Sequence, residues 1–107
     1  MRLKKGDVVT VATQGDYGKP RPAVVFQSDT IATDSVLLIP FTTHLISPSK
    51  IRIVIKPKPE NGLQKISQTM TEKITAVKRE KIGETIGRLD AQEIRKIEQA
   101  LLSVLDI

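Results

Sequence analysis

The sequence predicts a mainly β domain that closes with one helix: a small, strongly curved barrel or sheet packed on that helix. Two patterns carry this expectation. Up to residue 89, short runs rich in Val, Ile and Thr alternate with clusters of Gly, Pro, Asp and Asn. Such runs favour strands and such clusters favour turns. From residue 90 onward, apolar residues recur at helical spacing instead. The chain has 107 residues, which suits a single domain, 1–107, with one modest core.

The elements follow in order. Gly6-Asp7 is a turn, and Val8 to Thr13 (VVTVAT) is a β-branched strand. Gln14 to Pro20 is a loop with two glycines. Pro22 to Gln27 (PAVVFQ) is nearly all apolar and reads as a strand buried on both faces. Ser28 to Asp34 is polar and turn-like. Ser35 to Pro40 (SVLLIP) is a second buried strand, which the proline should stop, and Phe41 to Lys50 is a loop. Ile51 to Lys56 (IRIVIK) places three isoleucines on one face and cations on the other, a half-exposed strand. Lys56 to Gly62 is extended and then turns. Ser67 to Val77 gives a strand or two, Lys78 to Ile82 one helical turn, and Glu84 to Leu89 a strand. Asp90 with Glu93 three residues on forms a capping-box start. Ile94, Ile97, Leu101, Val104 and Leu105 then set an amphipathic helix over Ala91 to Leu105.

Composition narrows the function classes. No apolar run approaches the roughly 20 residues of a membrane span. The N-terminus has no apolar signal segment, so the cytoplasm is expected. There is no cysteine, which excludes disulfides and thiolate metal sites. One histidine and scattered carboxylates form no ligand motif, so neither metal nor cofactor is expected. The net charge of +5 favours a polyanionic partner such as RNA, DNA or an acidic protein segment. Tyr17, Phe26 and Phe41 are the only aromatic residues, too few for a sheet that stacks bases on several rings.

The residues "KKGDVVTVATQGDYGKPRPAVVFQSD", then "LLIPFTTHL", then "NGLQKISQTMTEKITAVKREKIGETIGRLD" with the final helix resemble the MazF/PemK family of toxin endoribonucleases. The resemblance covers nearly the whole chain in the family's order. It implies an SH3-like small β-barrel with a C-terminal helix, working as a homodimer. It implies cleavage of single-stranded RNA at short sequences without metal, leaving a 2′,3′-cyclic (or 3′) phosphate and a free 5′-hydroxyl. It also implies a cognate antitoxin that blocks the site with an acidic tail.

Three residues are expected to be catalytic. Arg21 stands between Pro20 and Pro22, which restrict its backbone and lower the entropy of holding its head group. A guanidinium stays charged and can fork two donors onto phosphate oxygens. Thr42 matches the family's threonine at the scissile phosphate, and a hydroxyl can both donate and accept there. Glu72 matches an acid that serves as base in some relatives. The arginine that pairs with it there, two residues earlier, is Met70 in this chain. Glu72 has a plainer reading as the partner of Lys73 or of a cross-strand cation.

The RNA-binding candidates are Asp16, Tyr17, Lys19, Thr43, His44, Lys50, Arg52 and Gln68. Asp16, Tyr17 and Lys19 belong to the glycine-containing loop before Arg21, which is expected to fold over RNA. His44 is the lone histidine, with an ordinary pKa suited to proton transfer, although a lone loop histidine is commonly just solvated. Lys50, Arg52, Lys56 and Lys58 are close enough in sequence to form one basic strip, which would add affinity without reading bases. Two rivals stand beside the nuclease reading. One is a non-catalytic SH3-like module binding RNA or an acidic peptide. The other is a gyrase poison of the CcdB type, which needs a C-terminal Trp-Gly-Ile, whereas this chain ends Leu105-Asp106-Ile107.

Overall fold

The computed structural model describes residues 2–12, 19–46 and 49–107. Seven strands form one curled sheet: β1 (Asp7–Ala12), β2 (Pro20–Val25), β3 (Ser35–Thr42), β4 (Val54–Ile55), β5 (Ser67–Thr69), β6 (Thr75–Lys78) and β7 (Ile82–Arg88). Their order is β4-β5-β3-β2-β1-β7, with β6 also paired to β3. The helix α1 (Ala91–Leu105) closes the chain. All recorded pairings are antiparallel. The sheet curls into a half-barrel against one helix, as the sequence predicts.

The two-sided burial expected of the β2 run is present. Val24 faces one apolar cluster with Val8, Ile39, Phe41 and Ile55. Its neighbours Ala23 and Val25 face a second cluster with Val9, Val11, Val36 and Leu38. This is the period-two alternation of a pleated strand, with both faces covered. The helix covers the first cluster. Ile97 is fully buried there, with Ile94 and Leu101 packed beside it. Leu105, predicted on the apolar face, is 52% exposed because the last turn runs past the sheet. The capping box forms: the Asp90 carboxylate accepts from the Glu93 N–H at 2.7 Å, and the Glu93 carboxylate accepts from the Asp90 N–H at 3.0 Å.

Gly6 lets the helix approach the start of β1. Its φ is +96°, and a Cβ there would lie 2.5 Å from Cδ1 of Ile94. Its N–H donates to the Val25 carbonyl and its carbonyl accepts from Leu89 N–H, so one residue ties β2, β1 and the helix entry together.

Two elements differ from expectation. β3 does not stop at Pro40 but runs on to Thr42, so Phe41 and Thr42 are strand, not loop. The Ile51–Lys56 strand shrinks to Val54–Ile55. Side chains take the amides that a longer strand would have paired. The Ser49 hydroxyl accepts from the N–H groups of Ile51 and Arg52, and Thr69 Oγ1 accepts from Ile53 N–H at 3.0 Å.

Ile97→Ala should cost about 2–5 kcal/mol, since the cavity lies where helix and sheet meet and neither side can collapse freely. Urea unfolding should show a lower midpoint at an unchanged slope.

Candidate active site

A cleft of about 320 Å³ opens where β2 and β3 part, lined by Arg21, Pro22, Pro40, Phe41, Thr42, Thr43, Ser67 and Met70. The β2–β3 ladder pairs Val25 with Leu38, Val24 with Ile39 and Ala23 with Pro40, and goes no further. One step on, Pro22 has no N–H to give to β3. The same register carried two residues on would set Arg21 opposite Thr42. Both instead line the opening.

Arg21 lies inside β2 rather than ahead of it. It pairs with Val11 of β1, between Pro20 opposite Ala12 and Pro22 opposite Thr10. Arg21 is an exposed residue whose backbone is paired with the neighbouring strand. Behind the ridge of Arg21, Pro22 and Pro40 lies a smaller apolar cavity of about 170 Å³, floored by Val11, Ala23, Leu38 and Val77.

Thr42 ends β3, half-buried, and its Oγ1 accepts from the His44 N–H at 3.1 Å. The hydroxyl therefore shapes the turn after the strand, and its own proton is left to donate. Thr43 and His44 follow on that turn and are exposed. Thr43 lines the cleft, and His44 is not among its lining residues.

Gln68 is 2% exposed. Its Oε1 accepts from Ile46 N–H at 2.9 Å and its Nε2 donates to the Ile46 carbonyl at 3.0 Å. The structure thus places this RNA-binding candidate under the loop rather than on the cleft wall.

Ser67 and Met70 complete the wall. Both stand in the S-x-x-M stretch of the sequence, but β5 has three residues and no periodicity to show which way they face. Pairing of Phe41 with Thr69 and Thr42 with Gln68 brings them to the cleft.

Glu72 sits on the short 3₁₀ turn Thr71–Lys73. Arg52 grips its carboxylate side-on: Nε donates to Oε2 at 3.1 Å and to Oε1 at 3.3 Å, and Nη2 donates to Oε2 as well. This hydrogen bonding holds the Glu72 carboxyl below the ordinary glutamate range, against partial burial that opposes it. It raises the Arg52 pKa in turn. Arg52 therefore supplies from β4's approach the guanidinium that Met70 does not carry. Among the described residues Glu72 does not line the cleft.

The other candidates disperse. Lys19 and Lys50 are exposed. Asp16 and Tyr17 lie outside the described residues. Two of the four cations of the expected basic strip are paired with acids. Arg52 is engaged by Glu72, and Lys58 bonds Asp90 at 3.2 Å and lies 3.5 Å from Glu93. The acids that follow them in the fold are distant in sequence, so the strip looked uniform only along the chain. Among the described residues no three of His, Asp and Glu gather as metal ligands. Among them, too, no helix is long and apolar enough to cross a membrane.

Glu72 contributes stability above the ordinary glutamate pKa of about 4.3, and loses it as pH falls through its lowered folded value. Arg52→Met should therefore destabilise the protein at pH 7 and less so at pH 3. Urea midpoints of variant and parent should converge on acidification. A gap constant with pH would show that the pair contributes nothing.

Comparison with known proteins places these features. The family model described as PemK-like, MazF-like toxin of type II toxin–antitoxin systems matches residues 4–105. A curated relative, the probable endoribonuclease MazF of Mycolicibacterium smegmatis, is 39% identical over 107 residues, covering 98% of each chain. Among solved structures, a mycobacterial endoribonuclease in complex with its cognate antitoxin superposes with a TM-score of 0.81 at 16% identity, covering 97% of this chain and 95% of that one. The MazE–MazF structure of Deinococcus radiodurans gives 0.80 at 18% identity, covering 100% and 99%.

Proposed function

The chain belongs to the MazF/PemK family of type II toxin–antitoxin endoribonucleases, and on that premise we propose that it cuts single-stranded RNA at short sequences, without metal, through attack of the 2′-hydroxyl on the adjacent phosphorus. One observation carries the reading. Arg21 and Thr42, far apart in sequence and on different strands, line the same cleft.

The chemistry needs three things there: removal of the 2′-proton, stabilisation of a phosphorane more negative than the ground state, and protonation of the departing 5′-oxygen. As the new O2′–P bond forms and the P–O5′ bond breaks, charge accumulates on the two non-bridging oxygens. Arg21 can fork onto both. Thr42 can donate to one of them or accept from the 2′-hydroxyl. The products are a 2′,3′-cyclic phosphate and a free 5′-hydroxyl. Thr43 and Ser67 add neutral hydroxyls along the wall. Among the described residues no carboxylate or imidazole lines the cleft, and this donor set suits phosphate better than a divalent cation. Glu72, the third catalytic candidate, is a weaker base for its bond to Arg52. Arg21 and Thr42 are therefore the centre of the proposal.

The proposal extends to partners. The mycobacterial and Deinococcus structures described above contain an antitoxin. A cognate antitoxin with an acidic tail is the expected inhibitor here, drawn to the same cation. Work in the cytoplasm as a homodimer completes the reading.

Incubation with mixed-sequence single-stranded RNA in excess chelator should give discrete cuts. Arg21→Ala should lower the rate by about 10²–10³-fold while the far-ultraviolet spectrum stays unchanged, as expected for loss of one preorganised donor to an oxyanion. Thr42→Val should also lose rate. Binding without cutting by well-folded protein would favour a non-catalytic module. Sedimentation at micromolar concentration should give twice the chain mass, and a persistent monomer would remove the homodimer.

A further inference from the structure

We propose that Gln68 is a positioning residue for cleavage, a buried amide that holds the 43–46 loop against the cleft and so fixes Thr43 and the Thr42 hydroxyl. This rests on the reading of the Arg21–Thr42 cleft given above.

Gln68 is the middle residue of β5, opposite Thr42 of β3 and Val54 of β4. Its backbone is therefore set from both sides. Its side chain presents one acceptor and one donor to the backbone N–H and C=O of a single loop residue, Ile46. A primary amide set against a backbone N–H and C=O reproduces the two-bond exchange of an antiparallel pair. The loop gains, through a side chain, one rung of sheet that its backbone does not make.

Among the described residues, Leu45 and Ile46 are 45% and 43% exposed and belong to neither apolar cluster. The segment is tied at its start, where Thr42 Oγ1 accepts from His44 N–H, and at Ile46, by Gln68. Thr43, on the cleft wall, sits next to the first tie. Among the described residues, release of Ile46 leaves the His44–Thr42 bond as the remaining side-chain tie, and that bond orients the hydroxyl assigned to the phosphate. Gln68 thus acts on the reaction through geometry, with its amide already occupied by Ile46.

Two variants approach the clamp from opposite sides. Gln68→Met keeps the volume in the buried position and deletes both bonds. Ile46→Pro deletes the N–H at an exposed position, where folding is less at risk. Single-turnover cleavage of RNA in chelator would be read together with amide hydrogen exchange of Thr43, His44 and Leu45. Both variants should speed that exchange and lower kcat by at least about tenfold, with KM moving much less, because misplacement of the reacting groups by an ångström is felt in the rate. Unchanged exchange in both variants would overturn the clamp. Faster exchange with unchanged kcat would overturn its catalytic role. A rise in KM alone for Gln68→Met, with Ile46→Pro normal, would mean that Gln68 touches RNA directly. RNA left intact by the parent protein would sink the nuclease reading itself, a result distinct from any of these.

Discussion

Pro40 has no N–H, and β3 changes partners there. In an antiparallel pair of the hydrogen-bonded kind, each residue donates to and accepts from its opposite. Met70 N–H donates to the Pro40 carbonyl at 2.8 Å, and Pro40 cannot donate in return. The Met70 carbonyl takes Lys73 N–H instead, also at 2.8 Å, and that bond closes the 3₁₀ turn Thr71–Lys73. The turn offsets the chain. Before Pro40, β3 pairs with β6, Leu38 against Thr75; after it, β3 pairs with β5, Phe41 against Thr69. A single missing donor is thus where one strand serves two neighbours on the same side, and where the sheet bends.

The site is built on that bend. On its other side β3 leaves β2 after the Ala23–Pro40 pair, with Pro22 unable to donate. Two prolines on adjacent strands therefore open the sheet at one level. Below that level both strands are packed into the two apolar clusters, and at it the strand ends carry Arg21 and Thr42. The rigid floor matters for the chemistry. A cation and a hydroxyl on strands fixed by core packing need little reorganisation when charge develops between them. The hydroxyls of Thr69 and Thr71, bonded to each other at 2.9 Å in the buried layer, continue the same support under the turn.

The helix's bounds were legible, because every signal for them is local: the capping box spans three residues, and the apolar stripe repeats within a turn. The strands were legible as apolar runs, and their ends were not. The reading of Pro40 as a stop assumed that a lost donor ends a strand, whereas here it only exchanges one neighbour for another. The reading of Ile51–Lys56 as a strand took apolar alternation for pairing, without the Ser49 and Thr69 hydroxyls that claim those amides. In the site, the family resemblance singled out Arg21 and Thr42, and the structure brings both to one cleft. The sequence offered Glu72 a cross-strand cation without naming Arg52, and nothing in the chain's order announced the Gln68–Ile46 contact. The two contacts link residues 20 and 22 apart, and they exist only once β4, β5 and β3 lie side by side.

The distribution of charge then divides the labour of recognition. The chain carries five more cations than anions, yet several of its cations are occupied: Lys5 with Glu98, Arg52 with Glu72, Lys58 with Asp90, and Arg88 with Asp7. Of the eight described residues that line the cleft, Arg21 alone is charged. The one aromatic among them, Phe41, is 7% exposed and serves the core, so it offers no face for stacking a base. A polyanion held here would be attracted by the diffuse excess charge and located by one guanidinium. Neither of these distinguishes one base from another. On the proposed reading, discrimination would fall to neutral groups such as the hydroxyls of Thr42 and Thr43, which would be only as selective as the loop and the strand end that hold them in place.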